Sequence, residues 1–139
     1  MAIFVEGRNC MFNEWTDGTK FWRLNDEPHR EDGPAIEWAN GDKSWFLNGK
    51  LHRVDGPAVE YANGTKYWYL NDKLHRVGGP AIEVSNGSKY WYLNGKLHRE
   101  DGPAIEDSYG DKYWYVDGKQ IEVTDNDTFL RMINLKVFW

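Results

Sequence analysis

The sequence predicts an all-β protein: an elongated, solenoid-like antiparallel sheet of stacked β-hairpins with a short C-terminal capping helix. Three observations predict it. A 23-residue unit recurs in constant phase, turn-forming pairs punctuate each unit, and the runs between them hold β-branched and aromatic residues without helical periodicity.

The repeats are read directly. DGPAIEWANGDKSWFLNGKLHRV begins at Asp32, DGPAVEYANGTKYWYLNDKLHRV at Asp55, GGPAIEVSNGSKYWYLNGKLHRE at Gly78 and DGPAIEDSYGDKYWYVDGKQIEV at Asp101. NCMFNEWTDGTKFWRLNDEPHRE, from Asn9, aligns with them and keeps Trp22, Asn25, His29 and Arg30. The chain of 139 residues is thus expected to be one repeat domain: a cap strand over residues 1–8, five repeats over 9–123, and a helix or tail over 124–139.

Within a repeat, Asn40-Gly41, Asn63-Gly64 and Asn86-Gly87 separate two strand-like runs, with Asp17-Gly18 and Tyr109-Gly110 in the same slot. Asn-Gly predicts a two-residue type I′ turn, which needs positive φ at both central residues. That loop length sets Val59 opposite Trp68, with Leu70 on their face and Ala58, Tyr67 and Tyr69 on the other. One face is then a Trp/Ile/Leu stripe and the other a tyrosine ladder. A second turn is expected at Asn48-Gly49, Asn71-Asp72, Asn94-Gly95 and Asp117-Gly118, and a third reversal at Asp-Gly-Pro, where proline sets φ. The glutamates at 37, 60, 83 and 106 and the lysines at 43, 66, 89 and 112 recur close enough to pair across strands. At the end of the chain, Thr124 or Asp125 can cap a helix with an apolar face of Phe129, Leu130, Met132, Ile133 and Leu135.

The 23-residue period, the hairpin in each unit and the Tyr-x-x-x-Asn-Gly-Lys-x-His core (Tyr90 to His98, and with Asp for Gly, Tyr67 to His75) resemble the MORN repeat family. Trp91 and Arg99 stand where that family carries glycine, so the resemblance is to a variant of the style of bacterial, phage and giant-virus proteins. It implies elongated twisted sheets that act as scaffolds, recruit proteins, dimerise end to end or touch lipid headgroups.

Composition narrows the function classes. Net charge is −5, with acidic and basic residues interleaved, so the chain lacks the basic face of a nucleic-acid binder. No apolar run approaches the roughly 20 residues of a membrane span, and no secretory signal pattern is visible. A lone Cys10 suits a reducing compartment, which predicts a cytoplasmic protein, in the host cytoplasm if it is viral.

His29, His52, His75 and His98 share one slot, with Arg53, Arg99, Asp55 and Asp101 beside it. Equivalent residues of stacked hairpins lie at least two strand spacings apart, roughly 9–10 Å, too far to share one metal ion. Four copies of one constellation also argue against a single catalytic pocket. These residues, with Trp45, Trp68 and Trp91, are therefore read as structural, the histidine closing a turn and the arginines reaching the aspartates. Cys10 is read as a small apolar residue. No catalytic residue, metal or cofactor is expected.

A single-layer sheet cannot bury both of its faces. Tyr67, Tyr69, Tyr90, Tyr92, Tyr113 and Tyr115, with Arg23, Lys73 and Lys96, are accordingly the expected partner-binding residues. The expected function is a non-enzymatic protein-binding module or scaffold, with the viral style suggesting an inhibitor that occludes a host enzyme or defence component. The alternative is an aromatic-groove protein that sequesters a small ligand or nucleotide, or contacts nucleic acid. Self-association through the sheet ends or the C-terminal helix fits either.

Overall fold

The computed structural model describes residues 10–135, so the expected cap strand over 1–8 and the last residues of the tail lie outside the described residues. The chain forms stacked antiparallel hairpins with one C-terminal helix, and divides into two compact units, Met1–Lys73 and Leu74–Trp139. In the first unit the hydrogen-bonded order is Cys10–Glu14, Lys20–Leu24, Ile36–Glu37, Lys43–Ser44, Val59–Glu60 and Lys66–Tyr67. In the second it is Ile82–Glu83, Lys89–Tyr90, Ile105–Glu106, Lys112–Val116 and Lys119–Ile121. Strand order follows chain order, and neither unit closes into a barrel.

Each repeat makes two hairpins of different kinds. The second turn lies where expected and takes the type I′ form that the sequence assigns to the first: Asn48 and Gly49 have φ of 50° and 77°, Asn94 and Gly95 of 49° and 80°, and Phe46 pairs with Leu51. The first turn differs from expectation. Val59 pairs with Tyr67 and Glu60 with Lys66, so the loop holds three residues, Ala62-Asn63-Gly64. Only the glycine is left-handed, at φ 94°. Asn63 instead turns its side chain inward, and its Oδ1 accepts the N–H of Thr65 at 2.9 Å. This is the turn-plus-bulge geometry of three-residue hairpins.

One residue more in the loop moves every side chain of one strand to the other face. Val59 therefore lies opposite Tyr67, not Trp68, and the Ile/Val row belongs to the tyrosine face. The alanines Ala35, Ala58, Ala81 and Ala104, all fully buried, belong to the tryptophan face. The N–H of Trp45 donates to the carbonyl of Ala58 at 2.7 Å, and that of Trp91 to Ala104 at 2.8 Å.

Arginine completes the tryptophan face. The guanidinium carbons of Arg30, Arg53 and Arg99 lie 3.8, 3.9 and 4.0 Å from the ring centroids of Trp22, Trp45 and Trp91. Each arginine also grips the start of the next repeat. Arg53 donates through Nε to Asp55 at 3.1 Å, and through Nη1 to the Pro57 carbonyl at 3.1 Å and to Glu60 at 3.2 Å. The glutamates stand directly across the ladder from the lysines as expected, Glu37 opposite Lys43 and Glu60 opposite Lys66, and their carboxylates are engaged by arginine as well. Gly78 stands in the aspartate slot that opens the fourth repeat, where Arg76 still donates to the Pro80 carbonyl at 3.0 Å and to Glu83 at 3.1 Å.

Trp114, the last of the tryptophans in the repeat slot, is followed in the arginine slot by Glu122, and the helix takes the arginine's place. Asp125 caps the helix Asn126–Asn134, its Oδ1 accepting the Thr128 N–H at 2.8 Å. Asn126 accepts the Trp114 indole N–H at 3.1 Å. Phe129 is fully buried against Trp114 and Val116, with Ile121, Val123, Leu130 and Ile133 around them. Leu135, expected on the apolar face, is instead exposed at the helix end, where it forms the C-cap.

Two outcomes follow. A Cβ on Gly56 would sit 2.8 Å from the Arg53 guanidinium carbon, so Gly56→Ala should cost about 1–3 kcal/mol in urea unfolding, and almost nothing in an Arg53→Ala background. Phe129→Ala should cost about 3–5 kcal/mol, measured the same way.

Candidate functional site

Most of the polar residues singled out by the sequence are engaged in joints. The imidazole Nδ1 of His29 accepts the backbone N–H of Asn48 at 2.9 Å, that of His52 accepts Asn71 at 3.1 Å, His75 accepts Asn94 at 3.0 Å, and His98 accepts Asp117 at 3.0 Å. Each histidine closes the turn of the following repeat, not its own. An accepting Nδ1 carries no proton, which places the proton of the neutral ring on Nε2. A second strip of joints links the first turns: Asp42 Oδ1 accepts the Ala62 N–H at 2.7 Å, and Ser88 Oγ accepts the Ser108 N–H at 2.9 Å. Among the described residues no three His, Cys, Asp or Glu side chains gather as metal ligands. Cys10 is half-buried on the first strand, opposite Leu24.

The other face carries the rings. In the first unit Phe21 stacks on Trp15 with centroids 6.4 Å apart and planes 8° apart. Tyr67 meets Tyr61 edge-on at 5.7 Å and stacks on Tyr69 at 6.4 Å. Arg23 joins this face, its guanidinium carbon 5.5 Å from the Phe21 centroid and its buried Nε without a hydrogen-bond partner among the described residues. In the second unit Tyr92 lies beside Tyr90 and Tyr115. Burial raises its phenol pKa above the ordinary 10.0, and the two neighbouring phenols add to the rise. Tyr113 is exposed and Tyr115 half-buried.

The lysines expected to accompany the tyrosines do not join them. Tyr92 pairs with Leu97, and Lys96 pairs with Leu93. Directly paired residues share a face, so Lys96 lies across the sheet from Tyr92. Its aliphatic stem instead packs near Gly118 of the next turn. Lys73 occupies the same slot and is exposed.

The sequence reading passed over three rings of this face, Trp15, Trp38 and Tyr61, which are 57%, 39% and 43% exposed. They share one repeat slot, so the 23-residue spacing could have found them. The slot ends in Val84 and Asp107, which hides the pattern.

No family model matches the chain, and no curated protein matches its sequence. No helix among the described residues is long and apolar enough to cross a membrane.

Acid should loosen the joint between Arg30 and Asp32. The hydrogen bond from Arg30 to Asp32, then its charge, holds the Asp32 carboxyl below the ordinary 3.8. A carboxyl that binds its proton more weakly when folded contributes stability above the unfolded value and loses it as pH falls through the folded one. Asp32→Asn should therefore reduce the acid sensitivity of stability below about pH 4, measured by urea unfolding across a pH series.

Proposed function

We propose that the protein is a non-enzymatic binding module, a MORN-like scaffold whose ring-bearing face docks a protein partner. One observation carries the reading. Rows of Trp, Phe and Tyr stand on a sheet face, and several of these rings are substantially exposed. Large rings on a folded surface are favoured interface anchors, because they bury much area at little rotamer cost. The histidines and arginines that could have suggested catalysis are engaged between repeats, which supports a role without bond chemistry. Net charge of −5 favours a protein partner over nucleic acid.

The finer parts of the reading rest on the resemblance and the composition. The variant repeat style suggests a phage or viral inhibitor that occludes a host enzyme or defence component, and the single cysteine suggests action in the cytoplasm.

Trp15, Tyr61 and Tyr113 are exposed enough for serine replacements there to leave the fold intact. With the chain as bait, a partner retained by the wild type should bind the triple variant at least about 100-fold more weakly. An unchanged set of bound proteins, with unchanged circular dichroism, would contradict the proposal.

A further inference from the structure

One repeat departs from the others on the ring face. In the first repeat Phe21 fits between Trp15, stacked at 6.4 Å, and Arg23, whose guanidinium carbon lies 5.5 Å from its centroid. In the third repeat Tyr67 fits between Tyr61 at 5.7 Å and Tyr69 at 6.4 Å. A ring therefore lies between the loop residue and the residue two positions further along the strand. In the second repeat, between these two and within the same unit, the ring slot holds Ser44. Trp38 and Phe46, the counterparts of the two flanking residues, instead line an open cavity of about 300 Å³. Val59 and Ser44, both buried, lie on its inner side, and Leu51 and Tyr61 complete the apolar wall.

We propose that this cavity receives one aromatic side chain, a phenyl or phenol ring from a protein partner, which takes the position that Phe21 and Tyr67 hold in the flanking repeats. The volume lies at the small end of ligand pockets, about 300–1,000 Å³, so it suits a single ring and not a nucleotide. Its one acidic lining residue, Asp42, is already committed: Oδ2 accepts from the Asn40 amide at 3.0 Å and Oδ1 from the Ala62 N–H at 2.7 Å. That leaves the aromatic walls, not a charge, to select the occupant. The inference rests on the ring face being a protein-docking surface, and it names what that surface grips.

The test uses the isolated chain and p-cresol, the side-chain analogue of tyrosine, followed through the Trp38 indole resonance. Binding should saturate in the millimolar range, about 1–10 mM for one ring. Ser44→Tyr supplies the ring from within, as the sister repeats do, and should weaken p-cresol binding at least tenfold, whereas Ser44→Ala should retain it. Trp38→Ser, at a partly exposed wall and followed through the p-cresol ring resonances because the indole reporter is gone, should give a similar tenfold loss and serves if Ser44→Tyr does not fold. No saturable shift of Trp38, undiminished binding by the folded Ser44→Tyr chain, or displacement of p-cresol by lower concentrations of tetramethylammonium would overturn the proposal. Because no partner is needed, a negative result removes the pocket while leaving the partner-retention test of the whole face standing. Loss of that reading alone would leave p-cresol binding intact.

Discussion

The guanidinium that stacks on a tryptophan of its own repeat and bonds to the start of the next, as in Arg30, Arg53 and Arg99, is the contact on which the rest of the structure depends. Arg53 belongs to one repeat by its place on Trp45 and to the next by its bonds to Asp55, the Pro57 carbonyl and Glu60. Desolvated on one side by an indole, an arginine has few ways to satisfy its donors, and the Asp-Gly-Pro corner presents acceptors where they are needed. Glycine in that corner is set by the approach of the guanidinium and not by its own φ. One stacking contact thus accounts for the tryptophan and glutamate that recur in every repeat and for the glycine of the corner.

The same contact explains why the stack can end. A terminal tryptophan without a following arginine would present a bare ring. At Trp114 the chain puts a helix there, with Phe129 replacing the cation by apolar packing and Asn126 taking the indole N–H. The joints are alike from repeat to repeat because each must meet the next. Trp15, Trp38, Tyr61, Val84 and Asp107 differ because they share the loop slot outside the joints. Ser44 is the clearest such departure, and it falls on the face where a change of side chain alters the surface without breaking a joint.

Much of this was legible before any coordinates. The period, the hairpins, the place of the turn at Asn48-Gly49 and a helix capped at Thr124 or Asp125 all follow from local chemistry that the residues cannot easily evade. The first turn was misread because Asn-Gly serves two geometries. It makes a type I′ turn when both residues are left-handed, and ends a three-residue loop when only the glycine is. Nothing in Asn63-Gly64 itself chooses between them, yet the choice exchanges the faces of Val59 and Ala58. The ring face was legible as a set of rings, but Trp38 and the opening beside Ser44 were not. They depend on comparing a slot across repeats, and on the register that the three-residue loop sets. The stacking of Arg53 on Trp45 spans eight residues and a turn, a distance at which sequence pattern carries little geometric information.

A double-mutant cycle between Trp45 and Arg53 tests the central claim most directly. Trp45→Leu, Arg53→Met and the double variant would be compared by urea unfolding. If the stacked, hydrogen-bonded guanidinium holds adjacent repeats together, the two changes will couple by about 1–2 kcal/mol. Additive losses, within about 0.3–0.5 kcal/mol, would show that the ring and the cation stabilise the protein independently, and would contradict the account.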